Sequence, residues 1–343
     1  MRIKDLLSYL GKRAAGSILV LVGVALIIFF ISHMLNPDPA QLWAGPKARG
    51  STLEAFRALY HLNQPLQVQL YYFFSGYLSG NFGVDPQTGR SIASEIAFYL
   101  PNTLELVITS LIIIVILGVG LGYLAGMRFS KRSDSAIRIF YLFTWSTPTF
   151  LGAIVAILVF ASYFPIFPSG GMYSQSITPP STITGIFVLD SLVQGNLAAL
   201  ASGIWHLILP ATTLALLEFG LIARIMRSSV LDVRWSTHVK AARARGLSEG
   251  EVRSRHILRN ALIDTNTMVA MMFGWLLSGT VVIEQVFAWP GIGQFGYQAI
   301  TSVNYPVLIA VVLVFTIGVI VANFIADVAY SFLDPRITLG ESA

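Results

Sequence analysis

The stretch His238–Leu262, "HVKAARARGLSEGEVRSRHILRNAL", carries six Lys or Arg residues (240, 243, 245, 253, 255 and 259) against two acids, Glu249 and Glu251. It sits in a chain of 343 residues of which 55% are hydrophobic and only 11% charged. Ordinary soluble domains carry about 25% charged residues. With a mean hydropathy of +0.70, this chain has too little polar surface to stay dispersed in water. The basic stretch therefore reads as an aqueous excursion of an integral membrane protein, and its side of the membrane fixes how the rest is threaded.

Six apolar runs flank or follow from it: Ala14–Leu35, Leu104–Met127, Ile139–Phe164, Trp205–Met226, Thr267–Val286 and Val307–Tyr330. A helix rising about 1.5 Å per residue crosses a hydrocarbon core of about 30 Å in roughly 20 residues, so each run is expected to be one spanning helix. The fourth is the least regular, with Pro210 and Glu218 inside it and Arg224 and Arg227 at its end. With the N-terminus in the cytoplasm, 18 of the 22 Lys and Arg residues fall on the cytoplasmic side, leaving Lys47, Arg49, Arg57 and Arg90 outside. That asymmetry follows the positive-inside rule and favours an even number of spans. The first run is longer than a signal-peptide core and is read as an uncleaved anchor.

Two long external segments are expected. In residues 36–103, "STLEAFRALYHL" starts with Ser51-x-x-Glu54, a capping-box pattern for a short helix, and "NQPLQVQLYYFFSGYLSG" forms a second helix at the interface. Residues 165–203 are rich in Pro, Gly, Ser and Thr and read as a loop with one helical turn. There is no cysteine, which excludes disulfides, thiolate metal sites and a cysteine nucleophile. No GxxxxGK[ST] phosphate loop, HExxH or GxSxG occurs. Gly118, Gly122 and Gly126 recur every four residues inside a span and read as a close helix-packing face rather than a nucleotide site.

Within the basic stretch, a helix over about Leu231–Arg245 is expected to end at Gly246, a natural residue just past a helix C-terminus. Ser248 then caps a second helix, with Glu251 completing a capping box. Charge alone is explained by membrane topology. A DNA-binding helix-turn-helix fits poorly, because both ends are tethered to spans. The small residues Ala241, Ala242, Ala244 and Gly246 instead allow a partner surface to approach closely, with Arg side chains able to pair with its acids.

These residues resemble a known family. The small-residue–Gly loop resembles the cytoplasmic loop of permease subunits in ATP-binding-cassette importers. The run "ARIMRSSVLDV…HVKAARARGLSEGEVRSRHILRNAL" is similar to the dipeptide/oligopeptide branch. "LNPDPA" (35–40), "LYHLNQPLQVQLYYFFSGYLSGNFG" (59–83), "VFAWPGIGQFGYQAITSVNYPVLIAVVLV" (286–314) and "FIADVAYSFLDPRI" (324–337) agree in the same order. Three positions depart from the pattern. Lys240 stands where the loop usually has Glu, Arg259 where other branches have Pro, and Asp264, near the start of the fifth span, where this branch usually has Pro.

The resemblance implies an all-α membrane protein with six transmembrane helices, cytoplasmic termini and a type I ABC importer permease architecture. The expected parts are a cytoplasmic N-terminus (1–13), a first span (14–35), an external region (36–103), a five-helix core (104–333) holding a coupling loop (228–265), and a cytoplasmic tail (334–343). It implies a translocation pathway shared with a second homologous permease subunit. Two ATP-binding subunits and an external solute-binding protein complete the assembly, with membrane lipid around it and no nucleic acid. ATP and Mg belong to the partner ATPases, and this chain binds no cofactor, catalyses nothing and holds no metal. The carried substrate is a dipeptide or oligopeptide, with oligosaccharides or nickel as alternatives inside the class and an ATP-independent channel or membrane enzyme as the remote one.

The ATPase-coupling residues implied are Lys240, Ala241, Ala242, Arg243, Arg245, Gly246 and Leu247. Ionisable groups inside spans are functional candidates by default. Glu218 and Glu284 are therefore candidates for the pathway or outer gate, each against a plain alternative, a carboxylate reaching water. Asp327 reads as structural, close to Arg336. Trp289, in a Trp-Pro-Gly turn, suits an external interface and the outer gate.

Overall fold

The computed structural model describes residues 3–34, 39–45 and 48–333. Its elements run α1 (Ile3–Met34), α2 (Pro39–Ala44), α3 (Ser51–Leu59), α4 (Leu66–Leu78), α5 (Ile92–Met127), α6 (Arg132–Trp145), α7 (Thr149–Ile157), α8 (Phe187–Val193), α9 (Leu197–Arg234), α10 (Thr237–Ala244), α11 (Glu249–Glu251), α12 (Arg259–Gly279), α13 (Val281–Val286), α14 (Ile292–Thr301) and α15 (Tyr305–Leu333). π-helical stretches prolong α7 (Leu158–Tyr163) and join α11 to α12 (Val252–Leu258). Lys47, Arg336, residues 334–343 and most of "LNPDPA" lie outside the described residues, as does the side chain of Asp327.

Among the described residues five helices are long and apolar enough to cross a membrane: Arg13–Ile31, Ile92–Met127, Leu197–Arg234, Glu249–Gly279 and Tyr305–Ile325. The third expected span is not one straight helix. It breaks at Ser146–Pro148 into α6 and α7, bent by 99°, and only the pair together passes the same test. Proline disfavours helical backbone in the residue before it, so the chain turns at Thr147. The fifth expected span starts earlier and stops sooner, since helix is continuous from Glu249 through Asp264 to Gly279 and Glu284 falls on the separate α13.

α9 is the central helix: 72% of its most apolar window is buried, against 11% for α1. Its internal Pro210 does not break it. Hydroxyls of Thr212 and Thr213 donate back to the carbonyls of Ile208 (2.6 Å) and Leu209 (2.7 Å), which keeps both polar groups satisfied inside the buried helix. α5 lies along α9 through its glycines. A Cβ built on Gly118 would come within 2.7 Å of Ile222, on Gly122 within 2.5 Å of the Ala223 carbonyl, and on Gly126 within 2.7 Å of Val230. The four-residue glycine spacing is thus a packing face. α9 also begins eight residues before the expected Trp205, at Leu197, with Asn196 capping it through the Ala199 amide.

The main core joins α5, α9, α12 and α13 around Leu106, Ile114, Phe219, Leu276 and Trp289. A second cluster ties α14 and α15 to the start of α5, and a third lies beneath α10. Between α1 and α5, α3 forms, but the Ser51–Glu54 capping box does not. The N-cap is Gly50, with no side-chain cap, and Ser51 is already the first helical residue.

Candidate functional site

The basic stretch folds into two helices around one turn. The expected helix Leu231–Arg245 is divided: α9 ends at Arg234, and α10 starts at Thr237 after Trp235 and Ser236. α10 is held down by Val239 and Ala242, which join Met226, Val230, Val252, Ile257 and Ala261 in one buried cluster. Lys240, Ala241, Arg243, Arg245 and Leu247 face solvent from the opposite side.

Gly246 has φ +79° and sits just past the helix. The Gly246 amide donates to the Arg243 carbonyl (2.9 Å) and the Leu247 amide to the Ala242 carbonyl (3.4 Å), the paired bonds of a Schellman termination. A Cβ at Gly246 would meet nothing within 4 Å. The backbone here is left-handed, which glycine adopts most readily, and its outer side is open space. Ser248 and Glu251 form the expected capping box, each side chain bonding the other's backbone amide at 3.3 Å. Arg243 is engaged within the chain: its Nε donates to Glu249 (2.7 Å), fastening the first helix to the second.

Three polar links carry this unit into the membrane core. Arg227 makes a two-pronged bond to Asp134 (2.7 and 2.9 Å), joining α9 to α6. The Ser229 hydroxyl donates to Asp264 (2.8 Å), joining α9 to α12 at the position where this chain departs from its branch pattern. Arg234 donates to the carbonyl of Gly126 (3.1 Å), at the end of α5. Sequence reading missed Arg227–Asp134 and Ser229–Asp264, because the partners are 93 and 35 residues apart.

At the other end, Glu284 is fully buried. This corrects the expectation of a carboxylate reaching water. Its carboxylate accepts from Thr103 (2.7 Å) and from the Gln294 amide (2.8 Å) in the first turn of α14. An anion there is favoured by the unpaired amides and positive dipole end of the helix. A Cβ on Gly291 would collide with this carboxylate, and one on Gly293 would come within 2.8 Å of it. Trp289 is not at an interface but in the core, 1% exposed. Its indole donates to the Asn102 carbonyl (2.9 Å), while the Asn102 amide donates to the Pro290 carbonyl (2.8 Å). Glu284 and Trp289 are thus brought together, both locking α13–α14 onto α5. Glu218 is half-buried on α9, apart from that pair.

Sequence reasoning also missed Asp190, buried in the first turn of α8, just after the loop 165–186. It accepts from the amides of Ile183 (3.0 Å), Thr184 (2.8 Å) and Gly185 (3.0 Å) and from the Thr184 hydroxyl (2.6 Å). Burial pushes its carboxyl up, but the bonds from Thr184, Ile183 and Gly185 outweigh this and hold it below the ordinary aspartate value.

The chain matches two family descriptions. "Binding-protein-dependent transport system inner membrane component" covers residues 118–339, and the corresponding N-terminal component covers residues 6–106. It is 35% identical over 333 residues to a probable D,D-dipeptide transport system permease of Escherichia coli, covering 97% of this chain and 98% of that one. A dipeptide transport system permease of Alkalihalophilus pseudofirmus is 32% identical over 332 residues, covering 97% and 99%. A glutathione transport system permease of Salmonella typhimurium is 35% identical over 333 residues, with the same coverage.

Proposed function

From its membership of the inner-membrane component family of binding-protein-dependent transport systems, in the dipeptide/oligopeptide branch of ABC importer permeases, we propose that this chain forms half of a pathway for small peptides. The named cargoes of its relatives, D,D-dipeptides, dipeptides and glutathione, support a peptide substrate. An external solute-binding protein hands the peptide over. A second permease subunit completes the pathway, and two ATP-binding subunits dock on the basic face. ATP and Mg are bound and consumed by those partners, not by this chain.

The proposed topology has six crossings, with α6–α7 counted as one bent crossing and both termini in the cytoplasm. The 18-to-4 division of basic residues supports it. Residues 1–13 and 334–343 are cytoplasmic, 14–35 the first span, 36–103 external, and 104–333 the core carrying the coupling loop 228–265.

One observation carries the coupling assignment. α10 presents Lys240 and Ala241 outward and ends past Arg245 in an open-sided turn at Gly246 and Leu247, while Val239 and Ala242 seat it on the π-helical stretch Val252–Leu258, in one buried cluster with Met226 and Val230 of α9 and Ala261 of α12. A displacement imposed on α10 therefore moves two core helices together, and packed helices switch between discrete arrangements rather than deforming. Arg243 serves the unit as an internal fastener to Glu249. In this scheme the α13–α14 unit held by Glu284 and Trp289 is a rigid part of the outer gate, and half-buried Glu218 is the acid nearest to serving the pathway.

The test compares Gly246→Asn with Gly246→Trp in the complete transporter, reconstituted in liposomes. Asn tolerates left-handed backbone, so it costs about 1 kcal/mol or less and keeps coupling. Trp adds bulk on the open side and is expected to cut peptide uptake per ATP at least about tenfold while the protein stays folded. Equal coupling in both variants rejects the docking assignment.

A further inference from the structure

Just before α5 the chain makes a turn closed by an antiparallel bridge between Val84 and Ser91. Two acids meet there that neither the pathway nor the coupling loop uses. Asp85 is 3% exposed, and Glu95, in the first turn of α5, is 8% exposed. Both carboxyl groups touch one atom: the Thr88 hydroxyl oxygen lies 3.0 Å from Asp85 Oδ2 and 2.9 Å from Glu95 Oε1.

A hydroxyl has one hydrogen and two lone pairs, so it donates to one of these acids and not to both. One lone pair of Thr88 already accepts from the Arg90 amide (3.2 Å). The other faces an acid. With both acids ionised, that contact would be oxygen against oxygen with no hydrogen between. It becomes a bond when one acid keeps its proton and donates it to Thr88, the arrangement expected of two carboxyl groups sharing a site.

The surroundings decide which acid. Asp85 Oδ1 accepts from the Gln87 amide (2.8 Å) and from Asn304 Nδ2 (2.6 Å), and its Oδ2 accepts from Thr88, three donors that suit a carboxylate. Glu95 Oε2 has no partner in the chain and is shut from water. Negative charge shared onto that oxygen would go unmet, whereas the carbonyl oxygen of a neutral acid loses far less. The titratable groups facing Glu95 are Asp85 and Arg90 of the turn and Tyr99, one helical turn along α5. Arg90 is exposed and forms an ion pair with neither acid among the described residues. On the apolar side Tyr77 of α4 packs with Ile92 and Ile96, and the turn before α15 adds the uncharged Asn304.

We propose that Glu95 is a proton-binding site and that its neutral form latches the 84–91 turn to α5. Glu95 Oε1–H donates to Thr88, and Thr88 donates to Asp85, which holds Asn304 at the start of α15. The latch thus ties together the ends of α5 and α15, at the end of α5 opposite Gly126. Losing the proton sets a second negative charge beside Asp85 and breaks the relay at Thr88. An unfolded chain releases a glutamate proton near about pH 4.3, while the folded turn keeps it. The stability the latch lends is therefore complete below that pH and disappears as pH rises through the folded value. The latch does not depend on what the chain transports.

Hydrogen exchange read by mass spectrometry on the complete transporter, over peptides covering residues 83–92, tests this from about pH 6 to about pH 9. The amides of Asp85 and Gly89 donate to the carbonyls of Arg90 (2.9 Å) and Asp85 (2.8 Å). Their protection in the wild type, corrected for intrinsic exchange, is expected to fall roughly tenfold across that range. Glu95→Gln, whose amide donates to Thr88 as the neutral acid does, is expected to keep its protection throughout. Asp85→Asn is expected to lose it at every pH, and Thr88→Val to lose it already at the acid end. An equal pH response in wild type and Glu95→Gln overturns the proposal. So does protection in Asp85→Asn with none in Glu95→Gln, which moves the proton to Asp85. Wild-type protection that follows added calcium and not pH overturns it as well, because the pair then binds a cation. If Glu95→Gln does not fold, unchanged protection in Thr88→Val is the result that overturns it.

Discussion

Glu284 shows how a single residue's role depends on its neighbours. Sequence offered an acid inside an apolar run; packing makes it the cap of α14, bonded to Thr103 and Gln294. Glu284→Ala strips acceptors from two buried donors at about 1–3 kcal/mol each, so stability to thermal unfolding in detergent should fall by roughly 2–6 kcal/mol. Glu284→Gln keeps one acceptor and should lose less. A Glu284→Gln variant that melts like wild type yet loses uptake would mean a substrate contact instead. Asp190 gives a pH signature of the same kind. Its folded carboxyl titrates below the unfolded value of about 3.9, so the stability it lends is complete above that pH and disappears as pH falls through the folded value. Hydrogen exchange at the amides of Ile183, Thr184 and Gly185 should therefore be slow at neutral pH and lose protection only below about pH 4. In Asp190→Asn the protection should be weak at all pH values. Gly246 and Ser248 were legible beforehand because their bonds span only a few residues; Glu284 and Asp190 were not, because their partners come from elsewhere in the chain or from a loop with no period.

At the scale of elements, the α5–α9 contact is the test of packing. Gly122→Ala puts a Cβ 2.5 Å from the Ala223 carbonyl, a backbone atom that cannot step aside, whereas Gly120 has nothing within 4 Å. Gly122→Ala is expected to destabilise by about 1–3 kcal/mol, as overpacking does, and Gly120→Ala to be neutral or to stabilise by about 0.5–1 kcal/mol through helix propensity. Similar melting of the two would contradict the glycine face. Most helices were readable from apolar runs, since lipid leaves the backbone little choice. The 99° bend between α6 and α7 was not read, although Pro148 marked the place, because averaged hydropathy runs straight across one proline. The break at Trp235–Ser236 carries no proline or glycine. It exists because Val239 and Ala242 gain burial by turning α10 against the π-helical stretch Val252–Leu258.

For the whole molecule, the central claim is that α10 is where the ATP-binding partners push. The path inward is short: Val239 and Ala242 to the cluster beneath, then Arg227–Asp134 and Ser229–Asp264 to the spans. The chain contains no cysteine, so one introduced thiol is unique within it. Ala241→Cys places that thiol on the exposed side of α10, and Gly195→Cys places another on the exposed turn between α8 and α9. The decisive measurement is cross-linking of each variant with a short bismaleimide in the assembled transporter, with cysteine available on the ATP-binding subunit. Ala241→Cys is expected to form an adduct with that subunit whose yield changes when ATP is added, and Gly195→Cys to form none. No adduct from Ala241→Cys, with its thiol freely labelled by a bulky maleimide while ATP hydrolysis continues, would contradict the account.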